Sequence, residues 1–535
     1  MRFLAVNLGS FLVEFASLDD TLALFESLSN LSEHGIEEII PAARTLLVRF
    51  HPEQTSMLQL ARQISNRPLK QCNTRGHQLV TIPVQYNGED LPFVAEEMGI
   101  STREVILRHQ EATWRVAFTG FSPGFAYMVS DSGGWKIPRR SIPRTRIPAS
   151  SVALAGEFSS IYPQASPGGW QLIGQTPLQM WDLARQQPAL LLPGMQVQFV
   201  TDEPRAKTVS LPARTVPNVQ SVAEGTTITV LATGLQTLWQ DAGRIGKASM
   251  GLSRSGAMDK SALHTANRIV GNSINSPCLE ITQGGFRARA NGDVVISVTG
   301  ALCPLSLHTS CGECYPVESY RPLNLTDGDE IHFGTPAGGL RSYLAVRYGF
   351  VVQQSLDSAA RDTLAQIGPA PLCAGDTLQV GPRKHATTVL LNESPIMDLP
   401  TIGEIVTLDI VLGPRTDWFT AEAVEHLLAQ AWLITPQSNR IGLRLAGDQP
   451  LKRSQHQELP SEGTCCGAIQ VPPSGQPVLF LHDHPLTGGY PVIATVAEYH
   501  VDLAGQLPPG AAIRFNVIQS FTSLTRSNIS DHFTA

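Results

Sequence analysis

The chain has 535 residues, of which 42% are hydrophobic and 16% are charged. It is too long for one hydrophobic core, and its composition is that of a folded protein rather than a disordered or coiled-coil chain. The 39 Lys and Arg against 46 Asp and Glu give a net charge of −7, so no basic excess serves a phosphate backbone and we expect no nucleic-acid partner. The 45 Gly and 38 Pro, scattered between short apolar runs, favour a β-rich fold with many turns.

Eight cysteines are too few to cross-link a chain of this length with disulfides, which favours a cytoplasmic protein. Asn7 and Glu14 interrupt the N-terminal apolar residues and no small-residue cleavage site follows, so we predict no signal peptide. The longest apolar runs, such as 189–193 and 478–481, fall far short of the ~20 residues that span a bilayer. We therefore expect no membrane anchor.

The first half of the chain predicts two subdomains. Residues 1–78 predict a small α/β subdomain, with strand patterns at 11–15 and 45–50 and helical spacing at 22–31 and 56–65. Residues 79–205 predict a compact barrel that begins with a strand at 79–84 and helices at 91–98 and 102–110, the second capped by Ser101. Short strands broken by Gly and Pro follow Trp114.

A Pro-containing segment, 206–226, predicts a linker to the second half. Residues 227–385 form a predicted first subdomain, with a helix at 260–270 that ends at Gly271 and strands at 227–231, 294–298, 331–333 and 343–346. Residues 386–535 form a predicted second subdomain, in which a helix near 420–433 precedes a β-rich stretch. The predicted fold class is therefore α+β and β-rich.

One internal similarity relates the two halves. Gly168-Gly169-Trp170 has a counterpart in Gly488-Gly489-Tyr490, and a Pro-Gly turn leading into a strand follows each of them, at Pro193 and at Pro509. Each half thus predicts a similar closing β module, with independent Gly-rich turns as the alternative.

Three segments concentrate polar groups beside Gly and Pro, where a backbone can approach a ligand closely. The first is 118–127, with His109 before it and arginines, among them Arg139, after it. Aromatic faces and guanidinium groups suit a planar, anionic ligand. The alternative is that the aromatic residues are core and the arginines are solvated.

The second segment runs from Gln240 to Asp259 and is continued by Asn267 and Glu280. Its glycines could let backbone N–H groups surround an anion, and Asp259 or Glu280 could act as a base or a metal ligand. The spaced Gly-Lys-Ser/Thr of a Walker loop is missing.

The third segment contains Arg440 and Arg444. If both lie on one strand, their even separation puts both side chains on one face and makes a two-arginine anion clamp. The alternative is that one arginine forms a structural ion pair and the other is exposed. Other candidates are weaker. Cys311 and Cys314 form a CxxC with no second pair, and His482 and His484 have no third metal ligand in sequence.

At these motifs the first half resembles the allophanate-hydrolase subunit 1 family, or carboxyltransferase subdomains C and D, and the second half resembles the subunit 2 family, subdomains A and B. The motifs are Ile82-Pro83-Val84, 120–127, Pro138-Arg139, 166–170, Gln240-Asp241, 256–259, Ser438-Asn439-Arg440, 467–472 and 487–491. The resemblance covers nearly the whole chain. It implies a cyclophilin-like β-barrel in each half and a site between the halves.

The resemblance further implies that the chain is a fusion of the B and C components of the bacterial ATP-dependent 5-oxoprolinase. A separate A component would complete that enzyme, which opens 5-oxo-L-proline to glutamate with ATP and Mg²⁺; a homo-oligomer is left open. A biotin-dependent carboxyltransferase of the urea carboxylase type is one alternative, with biotin as its cofactor. A regulatory protein that inhibits histidine kinases is the other.

The site expected from these motifs has two groups of residues and no metal. The expected catalytic residues are Asp259, Glu280, Arg440, Arg444 and His109. The expected substrate-binding residues are Phe121, Pro123, Gly124, Tyr127, Arg139, Gln240, Asp241, Arg244, Asn267, Gln470, Gly488, Gly489 and Tyr490. The chain departs from the family pattern at Ser150, Gln175, Met195 and 356–362, and the change at Gln175 removes an arginine that could contact an anion.

Overall fold

The computed structural model describes residues 1–29, 35–67, 78–140, 142, 144–202, 225–383, 386–526 and 528. The N-terminal subdomain consists of β1 Arg2–Asn7, β2 Ser10–Glu14, α1 Leu18–Ser29, β3 Ile36–Pro41, β4 Thr45–Phe50 and α2 Met57–Ser65. Helix α2 begins at a capping box, in which Ser56 and Gln59 satisfy each other's backbone N–H groups. Its buried face, Leu60, Ala61 and Ile64, packs on the sheet.

The first barrel contains β5 Leu79–Val84, α3 Leu91–Met98, α4 Thr102–Glu111, β6 Trp114–Thr119, β7 Ala126–Ser130, β8 Arg144–Ile147, β9 Ser151–Ala155, β10 Phe158–Ile161, β11 Ser166–Gly168, β12 Gln171–Gln175 and β13 Gln196–Thr201. Seven strands form one sheet in the order β12-β9-β10-β7-β6-β13-β5. Backbone hydrogen bonds between Gln85 and Gln175, of 2.8 and 2.9 Å, join its two edges. The sheet is thereby nearly closed, and Trp114 and Phe199 lie in its core.

The next subdomain contains β14 Thr227–Thr233, β15 Gln236–Gln240, a 3₁₀ turn Ala248–Met250, α5 Lys260–Ile269, β16 Cys278–Thr282, β17 Phe286–Asn291, β18 Val294–Gly300, β19 Leu305–His308, β20 Cys314–Val317, β21 Pro322–Leu325, β22 Glu330–Phe333, β23 Arg341–Val346 and β24 Thr377–Gln379. A six-stranded and a five-stranded sheet share one hydrophobic core. Helix α5 packs on β18 and β23 of the second sheet. After the helix, Gly271 has a positive φ of 73°, and a Cβ there would lie 2.5 Å from the Thr387 carbonyl oxygen.

The last subdomain contains β25 Ile405–Leu412, a 3₁₀ turn Thr416–Trp418, α6 Ala421–Ala429, β26 Trp432–Ile434, β27 Gly442–Ala446, β28 Glu462–Gly463, β29 Ala468–Gln470, β30 Val478–Phe480, β31 Thr487–Gly488, β32 Val492–Val496, a 3₁₀ turn Glu498–His500, α7 Val501–Gln506, β33 Ala512–Gln519 and β34 Ser523–Thr525. Seven of these strands form a closed barrel, β25-β32-β29-β30-β27-β26-β33. The barrel core includes Leu408, Trp432 and Phe515.

The two barrels close in the same way, which confirms the internal similarity. In the first barrel, β13 follows the Pro193-Gly194 turn and pairs in parallel with β5, the opening strand. In the second barrel, β33 follows the Pro509-Gly510 turn and pairs in parallel with β25. The β-rich α+β fold with two cyclophilin-like halves is therefore confirmed.

The end of the chain returns to its beginning. Strand β34 pairs with β1, so that Leu4 lies opposite Ser523 and the N-terminal sheet has the order β3-β4-β2-β1-β34. This pairing was not predicted, because local sequence patterns do not identify a partner strand about five hundred residues away. It fixes the N-terminal subdomain against the second barrel.

Some predicted boundaries differ from the structure. The helix predicted to reach residue 433 ends at Ala429, because Trp432 already pairs with Ile513 as a barrel strand. Residues 206–224 of the predicted linker lie outside the described residues. So do residues 30–31, at the end of the helical pattern predicted at 22–31. No described helix has the length and apolar character needed to cross a membrane.

Candidate functional site

A cavity of about 640 Å³ lies where the first barrel meets the second, and we call it the aromatic cavity. Its wall from the first barrel includes Phe121, Phe125, Tyr127, Arg139, Arg140, Tyr162 and Trp170. Its wall from the second barrel includes Arg453, Glu458, Ser461, Gln470, Thr487, Gly488, Gly489 and Tyr490. The predicted residues Phe121, Tyr127, Arg139, Gln470, Gly488, Gly489 and Tyr490 are thus brought together at one site between the halves.

A glycine makes the close approach of the two halves possible. A Cβ on Gly120 would lie 2.4 Å from Oγ1 of Thr487, which is closer than any side chain tolerates. The same Oγ1 accepts a 3.0 Å hydrogen bond from the backbone N–H of Phe121. The aromatic motif of the first half is therefore held directly against the Thr-Gly-Gly-Tyr motif of the second.

The aromatic wall is built from packed pairs of rings. Tyr127 contacts Trp170 edge to face at a centroid distance of 5.5 Å and stacks on Phe118 at 4.4 Å. These contacts hold the rings in fixed orientations and leave flat apolar surface toward the cavity. Such a wall suits a small planar ligand.

Charged and amide groups face the aromatic wall. Nε of Arg139 lies 2.7 Å from a carboxylate oxygen of Glu458, and a second guanidinium nitrogen donates to Ser461 at 3.5 Å. The Arg453 guanidinium lies over the Tyr490 ring, 5.7 Å from its centroid. Because Glu458 is half exposed, its ion pair with Arg139 is exchangeable, and a ligand carboxylate can take its place.

Arg440 lies outside this cavity, at the centre of a buried ion-pair network with Glu280 and Asp483. Its Nε and Nη2 donate to the two Asp483 oxygens at 3.0 and 3.1 Å, and its Nη1 donates to Glu280. All three side chains are at most 3% exposed. Burial acts to lower the pKa of Arg440, but Asp483 and Glu280 outweigh it and raise that pKa above its ordinary value.

The network joins the second barrel to the preceding subdomain. Nη2 of Arg440 donates to the Gly256 carbonyl at 2.6 Å, and Asp483 accepts from Ser255 at 2.6 Å and from the backbone N–H of Thr363 at 2.8 Å. Glu280 also accepts from the Tyr343 hydroxyl at 2.8 Å. With these partners the network is a structural joint.

The predicted two-arginine clamp is wrong. Strand β27 begins at Gly442, so Arg440 precedes it in a bend and even spacing no longer sets the direction of its side chain. Arg444 is exposed on the outer surface of the barrel, whereas Arg440 is buried. The two guanidinium groups therefore do not share a face.

Asp259 and His109 also lie away from the aromatic cavity. Asp259 is the N-cap of α5 and accepts hydrogen bonds from the Ala262 N–H and the Gln506 amide, both at 2.8 Å. Burial, aided by Asp502, raises the pKa of Asp259 to about 7. His109 is fully buried, hydrogen-bonded to Tyr86 and Ser159, and burial lowers its pKa to about 3. It is a core histidine, because α4 turns this face onto the barrel interior.

Four residues of the second segment bind other parts of the chain. Asp241 accepts from Ser358 Oγ at 2.6 Å and from the Ala359 N–H at 2.7 Å, while Gln240 donates to the Arg361 carbonyl at 2.9 Å. Arg244 donates to the Ser355 and Ala360 carbonyls, and Asn267 donates to the Ser276 carbonyl. They anchor the 355–361 loop and the end of α5, and none of them lines the aromatic cavity.

Pro123 and Gly124 are buried beside the cavity wall rather than in it. The Gly124 N–H donates to the Met250 carbonyl at 3.1 Å, a contact between the halves. Their role is therefore to shape the turn that carries Phe121 and Phe125.

The departures from the family pattern lie outside the cavity. Gln175 has an exposed side chain, and its backbone closes the first barrel. Met195 packs against the first core. Ser150 adopts a positive φ of 65°, a conformation that favours glycine. Residues 356–362 form the loop that covers Asp241.

Three residues that matter for the geometry were not predicted: Asp483, Glu458 and Arg453. Asp483 lies between His482 and His484, which were discounted as metal ligands in favour of core or edge histidines. The need of a buried Arg440 for an acidic partner was the available signal. Glu458 and Arg453 are in a polar stretch without any motif. Among the described residues, no three His, Cys, Asp or Glu side chains are grouped so as to hold a metal ion.

Comparison with known proteins agrees with this architecture. The C subunit of 5-oxoprolinase from Escherichia coli is 34% identical over 289 residues, which is 54% of this chain and 89% of that protein. The B subunit of 5-oxoprolinase from Haemophilus influenzae is 36% identical over 176 residues, which is 32% of this chain and 82% of that protein. A urea amidolyase of Lachancea kluyveri is 31% identical over 308 residues but is covered for only 16% of its length.

A crystal structure, that of TTHA0988, covers both halves. It superimposes with a TM-score of 0.80 at 32% identity and covers 95% of this chain and 99% of its own. The family pattern described as carboxyltransferase domain, subdomain C and D, matches residues 1–191, and the pattern described as carboxyltransferase domain, subdomain A and B, matches residues 250–517. The chain therefore belongs to the carboxyltransferase-domain family and carries its C/D and A/B parts fused in one polypeptide.

Proposed function

We propose that this protein is the fused B/C component of an ATP-dependent 5-oxoprolinase and works with a separate A component. The observation that carries the proposal is the aromatic cavity, because each half supplies one of its walls. Relatives named as C and B subunits of 5-oxoprolinase support the same assignment.

5-Oxo-L-proline is a small, nearly planar ring with a carboxylate, and the cavity offers a group for each part. Its carboxylate would replace Glu458 on Arg139, whose guanidinium can bind both oxygens. Its ring would lie against the wall formed by Tyr127 and Trp170. The Gln470 amide would hold the lactam group.

In the overall reaction, water adds to the lactam carbonyl carbon and the ring C–N bond breaks, giving glutamate while ATP is hydrolysed to ADP and phosphate. Arg453 would stabilise negative charge that develops at the lactam oxygen. Glu458, once released from Arg139, is the carboxylate placed to orient a water molecule.

We place ATP and its Mg²⁺ on the partner component. The sequence has no Walker loop, and the described residues offer no group of three metal-binding side chains. When bound, ATP supplies the driving force for opening the lactam. The described residues of this chain bind and orient the ring.

Co-expression with a homologue of the 5-oxoprolinase A component tests the proposal. We expect ATP-dependent release of glutamate from 5-oxoproline, with R139M reducing kcat/KM by about 10- to 100-fold, the cost of one charge-assisted contact. The matched control is R146M, because Arg146 is an exposed arginine on the neighbouring strand β8 and does not line the cavity. Absence of turnover with a partner validated on separate B and C subunits would refute the function.

The second candidate is a carboxyltransferase that acts on a urea-like substrate. The match to urea amidolyase over 308 residues favours it. Carboxybiotin would have to come from another chain, so a biotinylated protein that co-purifies with this one, and urea-dependent transfer of its carboxyl group, would establish the alternative.

A further inference from the structure

Two adjacent glycines, Gly488 and Gly489, line the aromatic cavity, and their backbone conformation does not require glycine. Their φ values lie outside the left-handed region, so alanine can adopt the same backbone. Gly467, in the same barrel, is the opposite case, with a φ of 85°. The reason for glycine at 488 and 489 therefore lies in the groups that surround them.

The guanidinium group of Arg139 occupies the place that a side chain at position 489 would take. A Cβ on Gly489 would lie 2.7 Å from Nη1 of Arg139, whereas heavy atoms in ordinary contact are about 3.5–4.0 Å apart. The other two nitrogens of this guanidinium face Glu458 and Ser461. Among the described residues, Nη1 has no hydrogen-bond partner, so it is the donor left for a ligand.

The amide group of Gln470 occupies the corresponding place beside Gly488. A Cβ on Gly488 would lie 2.5 Å from Nε2 of Gln470. This nitrogen donates to the Tyr490 carbonyl at 3.2 Å, which fixes the orientation of the amide, because only its nitrogen can donate. Within the part of the chain that the structure describes, Oε1 of Gln470 accepts no hydrogen bond. It is therefore the acceptor left for an N–H group of a ligand.

Both glycines face the ends of flexible side chains rather than backbone atoms at these close distances. An added Cβ would therefore move the guanidinium or the amide by about 1 Å and leave the fold intact. A binding group that is displaced by about 1 Å loses much of its interaction with the ligand. The two glycines thus control where the free donor and the free acceptor of the cavity lie.

From these contacts we propose that Gly488 and Gly489 are positioning residues that set the ligand specificity of the aromatic cavity. Gly489 lets Arg139 face a carboxylate, and Gly488 lets Gln470 face the N–H group of an amide. The cavity therefore selects a compact ring that carries both groups over a ring that carries only one. This inference rests on the proposed function, in which the ring is 5-oxo-L-proline, and extends it to how that ring is selected.

Titration of the full chain with three ligands of the same ring size, followed by NMR of the ligand, tests the inference. 5-Oxo-L-proline carries the carboxylate and the lactam, 2-pyrrolidinone carries only the lactam, and cyclopentanecarboxylate carries only the carboxylate. We expect G489A to raise the Kd of 5-oxo-L-proline at least about tenfold and to leave the Kd of 2-pyrrolidinone unchanged, because only the charged contact is displaced. G488A should raise the Kd of 5-oxo-L-proline by about 3- to 10-fold and leave that of cyclopentanecarboxylate unchanged, because only a neutral hydrogen bond is lost.

The structural control is G447A. Gly447 does not line the aromatic cavity, and a Cβ there would lie 2.6 Å from the ring of Trp432. G447A should therefore lower the Tm and leave the ratios of the three Kd values as in the wild type. G488A and G489A should keep the wild-type Tm within about 2 °C. The double variant G489A/R139M should bind 5-oxo-L-proline no more weakly than R139M, because both substitutions act on one contact.

The inference is overturned if G488A and G489A keep the wild-type preference among the three ligands, or if the wild type has no such preference or binds none of them. Failure of the proposed function gives a different result. Selective binding that the two substitutions abolish, without ATP-dependent turnover in the presence of the A component, would contradict the proposed function alone. Turnover by the wild type with unchanged selectivity in both variants would contradict this inference alone.

Discussion

Removing the Arg440 guanidinium should destabilise the protein strongly, because it leaves Glu280 and Asp483 buried without a counter-charge. R440M keeps most of the side-chain volume and loses the hydrogen bonds to Asp483, Glu280 and the Gly256 carbonyl. Breaking a buried ion pair by removal of one partner costs about 3–5 kcal/mol. The second half has about 300 residues, so its unfolding entropy is about 0.6 kcal/mol/K and this loss corresponds to a fall in Tm of roughly 5–8 °C.

The matched control is R444M, four residues further on, where the guanidinium is exposed and makes no ion pair among the described residues. Its free energy of unfolding should stay within about 0.5 kcal/mol of the wild-type value. Differential scanning calorimetry of the full chain measures both. D483N combined with R440M should recover part of the loss, since the double variant leaves one buried carboxylate fewer.

The effect should also depend on pH. In the wild type, burial alone would raise the pKa of Asp483, but Arg440 holds it below its ordinary value, so the stability from this group is present above about pH 4 and lost as pH falls further. In R440M the guanidinium charge that opposes burial is gone, although the hydrogen bonds from Ser255 and Thr363 remain. The pKa of Asp483 therefore rises, and the folded state takes up protons that the unfolded state lacks. The difference in free energy of unfolding between the wild type and R440M should therefore become smaller from pH 8 to pH 5. Equal Tm values for R440M and R444M would refute the assignment of Arg440 as a structural joint. So would a difference in stability between the wild type and R440M that does not change with pH.

Three further predictions concern single positions. S150G should stabilise the protein by about 1 kcal/mol, since Ser150 occupies left-handed φ/ψ space; an unchanged unfolding midpoint would contradict the strain. G120A should lower the Tm and weaken ligand binding in the aromatic cavity, because a Cβ would collide with Thr487. The control G169A should keep the wild-type Tm, because its Cβ would lie 3.6 Å from the nearest atom, the Arg140 carbonyl oxygen. H109Q should make the free energy of unfolding less dependent on pH. The folded pKa of His109, about 3, lies below its unfolded value, so the wild type loses about 2 kcal/mol of stability through His109 as pH falls from 6.5 to 5. The same slope of stability against pH in both proteins would exclude a buried neutral His109.

Local patterns predicted the elements well where the physical signal is local. Ser101 caps its helix as its spacing indicated, and the strand from Leu79 to Val84 has the predicted bounds. The two Gly-Gly-aromatic motifs, 168–170 and 488–490, also line the aromatic cavity, since glycine permits close approach. These features depend on neighbours within a few residues.

The remaining features depend on partners that are distant in sequence. Arg444 and His109 carry the right chemistry for a site, but the strand and the helix that hold them turn one outward and the other into the core. Asp483 was missed for the opposite reason: its partners come from positions 255, 280, 363 and 440, with Glu280 joined through Arg440. Sequence spacing does not show which buried acidic and basic side chains will form an ion pair.

The location of the aromatic cavity gives a physical reason for having the two halves in one chain. The cavity needs a wall from each half. In Escherichia coli the relatives of the two halves are named as separate B and C subunits. A covalent link makes their association intramolecular, at an effective concentration on the order of mM, so that the cavity is not lost on dilution. The pairing of β34 with β1 adds a second connection, which holds the N-terminal sheet to the second barrel.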